Sequence, residues 1–119
     1  SNIPITDEEL ENAKSGYFGS FAMSMENPVT IANQALNIRT ENLPENFYST
    51  FLENINKVSK KEIIDSMRLI WETMKIIVEP SCAITLSALI KNKKMFKGMK
   101  VGLIISGGNV DLDNLPWGD

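Results

Sequence analysis

The chain contains no histidine, which excludes a histidine general base, a Ser-His-Asp triad and any zinc site built on imidazole. It has one cysteine, Cys82, so an intrachain disulfide and a thiolate metal cage are excluded too. No apolar run approaches the ~18 residues that a membrane helix needs. The first residues, Ser1-Asn2-Ile3-Pro4, have neither the basic nor the apolar segment of a signal peptide, so a cytoplasmic location without membrane contact is expected. Excess positive charge is also missing: the net charge is −3 and the pI about 5.0, which argues against a nucleic-acid groove. What remains is 119 residues of ordinary globular composition, enough for one small core.

Helix signals dominate. Thr6 and Glu9 form a capping box ahead of the stripe Leu10, Ala13, Tyr17, Phe21 and Met25, widened by Phe18 and Ala22. Asn27-Pro28 opens a second helix, with Val29, Ala32, Ala35 and Leu36 as its buried stripe. Pro44 opens a third, where Phe47, Tyr48, Phe51, Leu52 and Ile55 make an apolar face that reads as core. A second capping box, Ser59 with Glu62, starts a fourth helix carrying Ile63, Ile64, Met67, Ile70, Trp71 and Met74. Ser81 can cap a fifth, running from about Cys82 to Lys91, in which Cys82 reads as a small packed hydrophobe. The lysine-rich stretch 91–100 reads as a solvated loop.

Two short β-branched or apolar runs break this pattern. Val101-Gly102-Leu103-Ile104-Ile105 reads as a buried strand over 100–105, and Ile76-Ile77-Val78 as a second candidate strand at 76–78. The expected class is therefore α/β and helix-dominated, with four or five helices. An apolar strand with so few neighbours predicts self-association into a homo-oligomer.

The run over 101–105 ends in Ser106-Gly107-Gly108-Asn109, and ligands of open α/β sheets sit beyond the carboxyl ends of strands. Two glycines let the backbone turn or approach a flat ligand, and Ser106 offers one hydroxyl there. Glu79, just ahead of the fifth helix, reads either as an acid favoured by the helix dipole or as part of the same site.

Residues 58–119, with Met67 to Glu72, Lys75 to Ser81, Lys100 to Leu112 and Leu115-Pro116-Trp117, resemble the C-terminal segment of the fold-type-II pyridoxal-phosphate enzymes. The nearest branch is the threonine/serine dehydratases and serine racemase. The resemblance implies pyridoxal phosphate as cofactor and a small amino acid as substrate. It implies that Ser106 matches the serine bonded to the pyridine nitrogen, that Glu79 matches a carboxylate near the ring, and that Gly107 and Gly108 shape the backbone against it. The family's Schiff-base lysine and phosphate loop lie upstream and have no counterpart here, so the chain alone is expected to be inactive.

Residues 5–62 resemble, more loosely, a noncatalytic segment of the pitrilysin/insulinase-type zinc peptidases, through Ile5 to Lys14, Gly19 to Pro28, Ile31-Ala32 and Leu43 to Tyr48. No zinc ligand carries over. Residues 1–57 have a net charge of −5 and nine of the twelve asparagines, while 58–119 are at +2. Together these suggest a chimera of a peptidase-like helical segment, 1–57, and an enzyme segment, 58–119, joined near Lys57–Ser59. A helical interaction module without catalysis is the remaining expectation.

Overall fold

The computed structural model describes residues 5–117. Five helices follow one another: α1 (Asp7–Ser24), α2 (Pro28–Thr40), α3 (Phe47–Asn56), α4 (Lys60–Met74) and α5 (Pro80–Lys91). The expected helix-dominated class holds. Both capping boxes are formed, Thr6 with Glu9 and Ser59 with Glu62, each satisfying two amide donors that the helix start leaves open. Asn27 caps α2 through the Val29 amide at 2.9 Å, with Pro28 at the first helical position. Helix α5 begins two residues earlier than expected: Glu79 is its N-cap, Pro80 is N1, and Ser81 lies inside the helix. Proline at N1 loses nothing by lacking an N–H and brings its φ already set.

Helix α5 is the hub, packing on α4, α1 and α3. Its Cys82, Ala83, Ile84, Ser87 and Ala88 are all buried. Small residues let α4 come close, and the Ser87 hydroxyl lies 2.8 Å from that of Ser66 in the seam. Around α5 gather Ile63, Met67 and Ile70 of α4, Ile55 of α3, Leu10 of α1, and Ile5, Val58 and Val78. One core is thus built from residues on both sides of position 57. Polar ties cross it as well. Lys91 Nζ donates to the Lys57 carbonyl at 2.8 Å and pairs with the Glu62 carboxylate at 2.9 Å, and Lys60 pairs with Asp7 at 2.5 Å.

Three expectations about packing are corrected. Helix α2 has no buried residue, and Val29 and Leu36 are 64% and 57% exposed, because no element among the described residues covers that face. Trp71 and Met74 are exposed at the end of α4. The aromatic face of α3 is only half-buried. Phe96 packs edge-to-face on Phe47 and Phe51, at 5.9 Å from each, and the face borders a cavity of about 940 Å³ shared with α1, α2 and residues 96–102.

The strands are corrected too. Among the described residues there is no strand: 76–78 and 100–105 are irregular backbone, and Val101, Ile104 and Ile105 are exposed rather than buried. A lone pair of strands is barely stable in water. Here the two segments share no ladder, and the Glu79 amide donating to the Gly107 carbonyl at 3.3 Å is a single link near their ends. Among the described residues, no helix is long and apolar enough to cross a membrane.

The hub position of α5 predicts that Ile84→Ala, at 0% exposure, lowers stability by about 2–5 kcal/mol in urea unfolding. Leu36→Ala on α2 should change it by less than about 0.5 kcal/mol. The Glu62 carboxyl, raised by partial burial but lowered more by the Ser59 amide and by Lys91, has a folded pKa below its ordinary value. A depressed carboxyl stabilises the fold above its unfolded pKa and loses that contribution as pH falls through the folded one. The urea midpoint should therefore fall more steeply below about pH 4 in the wild type than in Glu62→Gln; parallel slopes would remove Glu62 from this role.

Candidate functional site

The four residues singled out by the Ser-Gly-Gly pattern and the Glu-Pro pair come together at the start of α5. The geometry follows from two local rules. Pro80 fixes the helix start, so Glu79 takes extended backbone (φ −75°, ψ 160°) and its carbonyl accepts the first helical bonds, from the Cys82 and Ala83 amides at 3.0 and 3.3 Å. Gly107 adopts φ +82°, a left-handed conformation that a side chain disfavours, in irregular backbone that meets that helix start.

Three contacts dock the Ser106-Gly107-Gly108 turn. The Glu79 amide donates to the Gly107 carbonyl. The Ser106 backbone lies beside the Cys82 sulfur. Gly108 passes so close to the Ile77 carbonyl that an added Cβ would lie 3.3 Å from it. A Cβ on Gly107 would collide with the Glu79 carboxylate. The room left by both glycines is therefore taken by the chain's own atoms. Gly107 makes a notch for the Glu79 carboxylate, and Gly108 lets the backbone lie against residue 77.

The Glu79 carboxylate is also held from the other side, where the Ser81 hydroxyl donates to Oε1 at 2.6 Å. Glu79 is half-buried, whereas Ser106 is exposed. Burial pushes the Cys82 thiol up; the Ser106 backbone opposes this and the nearby Glu79 charge adds to it. Such a thiol is a packed, unreactive group, as the sequence implies.

Sequence reasoning missed Ser81 and the Ser106–Cys82 link. Ser81 was legible only as a cap, because Ser before an apolar stretch is a cap signal. The alternative signal is Glu-Pro-Ser itself: with Pro at N1, a serine at N2 points its hydroxyl back at the N-cap side chain. Among the described residues, no group of three or more acidic, cysteine or histidine side chains could hold a metal ion.

Known proteins resemble this chain along its whole length. It is 36% identical over 115 residues to a beta-hydroxyaspartate dehydratase of Paracoccus denitrificans, a match covering 97% of this chain and 36% of that protein. It is 38% identical over 92 residues to an L-threo-3-hydroxyaspartate ammonia-lyase of a Pseudomonas species, covering 75% of the chain and 28% of that protein. It is 55% identical over 62 residues to the serine racemase of Dictyostelium discoideum, covering 49% of the chain and 18% of that protein. The chain thus spans about a third or less of these relatives. No family model and no solved structure matches. The Paracoccus match spans both halves, so one relative accounts for residues on either side of Lys57–Ser59. Neither the peptidase resemblance nor a join finds support in these matches. The relatives' names fall in the branch that residues 58–119 resemble.

Gly107→Ala should cost about 1–2 kcal/mol in unfolding experiments through backbone strain, much as Gly98→Ala should, since Gly98 also has a positive φ (+81°) but an open surrounding. Only Gly107→Ala should displace Glu79, seen as a moved carboxyl carbon resonance in NMR. An unmoved Glu79 resonance would refute the notch.

Proposed function

We propose that this chain forms the C-terminal part of a pyridoxal-phosphate-dependent hydroxy-amino-acid ammonia-lyase or racemase, acting on a small amino acid, and supplies one wall of its cofactor site. The observation that carries the reading is the docked Ser-Gly-Gly segment: Ser106 is exposed, next to backbone tied to the Glu79 amide and lying close against Ile77. The similarity to a dehydratase, an ammonia-lyase and a racemase supports it.

The residues present fit one edge of the cofactor. Ser106 would hold the pyridine nitrogen through its neutral hydroxyl, which would leave that nitrogen largely unprotonated. When bound, the cofactor supplies the electron sink for breaking bonds at the substrate's α-carbon. Glu79 sets a fixed negative charge beside the turn, and Gly107 and Gly108 let turn and helix start meet. The chain has no phosphate cradle and no lysine in the family's Schiff-base context, so it does not turn over substrate alone. Its small amino-acid substrate belongs to the complete enzyme.

The exposed apolar residues of α2, Val29, Ile31 and Leu36, favour a second reading, a helical module that self-associates. Sedimentation showing a monomer throughout the micromolar range would count against it.

Pyridoxal phosphate added to the chain should give an absorbance or tryptophan-fluorescence change that Ser106→Ala abolishes. A response of equal size in Ser106→Ala would sink the role assigned to Ser106. Neither L-threonine nor L-serine should release ammonia with the chain alone, and release above the blank would overturn the expected inactivity.

A further inference from the structure

We infer that Ser81 is a positioning residue for the cofactor wall: its hydroxyl holds the Glu79 carboxylate in the notch of Gly107 and so keeps the Ser106 turn docked. The inference deepens the proposed function and rests on that reading for its purpose. The mechanical part stands on contacts within the chain.

Glu79 carries its carboxylate on two flexible methylenes, and its side chain makes no capping bond to α5. Left alone, such a group on a helix start is free to swing into solvent, where it is better hydrated. The Ser81 hydroxyl at 2.6 Å opposes this. A short hydrogen bond to an ionised acceptor is stronger than a neutral one. Ser81 sits at the second position of α5, so its Cα is fixed by the helix, and the helix is fixed by the core. The chain of constraint runs from the core to α5, from α5 to Ser81, from Ser81 to the carboxylate, and from the carboxylate to Gly107. The Gly107 carbonyl also accepts from the Glu79 amide, and the backbone of its neighbour Ser106 lies beside the Cys82 sulfur. Losing the Ser81 hydroxyl frees the carboxylate, empties the notch and leaves the turn held by one fewer contact. Cys82, buried at 7% exposure, is then uncovered each time the turn lifts.

The test uses the 119-residue chain without ligand. The amide resonances of Ser106, Gly107 and Gly108 and the alkylation rate of Cys82, the only thiol, are measured in Ser81→Ala, Ser81→Thr, Glu79→Ala and the double variant Glu79→Ala/Ser81→Ala. Ser81→Ala is expected to shift those amides and to speed alkylation about three- to tenfold, through more frequent local opening. Ser81→Thr, which keeps a hydroxyl, should restore both. The double variant should be no faster than Glu79→Ala, because Ser81 acts only through that carboxylate. Wild-type amides and rate in Ser81→Ala would overturn the inference, as would additive effects in the double variant. Pyridoxine 5′-phosphate, which has the ring nitrogen but no aldehyde, is then titrated. Weaker shifts at 106–108 in Ser81→Ala than in wild type support the positioning role; equal shifts overturn it. If the wild type shows no shift there, the cofactor reading fails, while the ligand-free measurements still decide the role of Ser81.

Discussion

The site depends on a left-handed glycine seated on the start of a buried helix. Gly107 can turn the chain at φ +82° because it has no side chain, and the same absence makes room for the Glu79 carboxylate. A larger residue would have to give up one or the other. Everything else at the site is inherited from α5. That helix starts where Pro80 starts it, and it stays in place because Cys82, Ala83, Ile84 and Ala88 are buried against three other helices. The exposed Ser106 hydroxyl is thus positioned by the core through very few intermediaries.

The rest of the chain shows where a core of this size stops. Helices α4 and α5 pair closely because serine and alanine line their seam, whereas α2 turns apolar side chains to solvent. The segment 101–105 is apolar enough for the interior of a sheet, yet it lies exposed and unpaired. A strand is stabilised by its neighbours' backbone groups and side chains, and a single link at Glu79–Gly107 supplies neither. The surface left uncovered agrees with a chain that matches about a third or less of its relatives' length.

Local chemistry was legible in the sequence. Capping boxes at Thr6–Glu9 and Ser59–Glu62 and Asn27-Pro28 at the start of α2 act within a few residues, and all are present as the residues imply. Burial was less legible. The periodic stripe of Val29, Ala32, Ala35 and Leu36 says that a face is apolar, but not whether anything covers it. Trp71 and Met74 continue the apolar stripe of α4, yet both are exposed. An apolar run over 101–105 states what a strand prefers without supplying its partners. The charge step near Lys57 says nothing of the core, since net charge describes the surface, and the core draws residues from both halves. The meeting of Glu79 with Gly107 spans 28 positions, and no local rule could have given it.

The most direct test of this account is a nuclear Overhauser measurement on the 119-residue chain, between the Gly107 α-protons and the Glu79 γ-protons. The account predicts a strong cross-peak together with slow exchange of the Glu79 amide, which donates to Gly107. Absence of that cross-peak, with residues 106–108 exchanging as fast as free coil, would contradict the docked turn and the cofactor wall built on it.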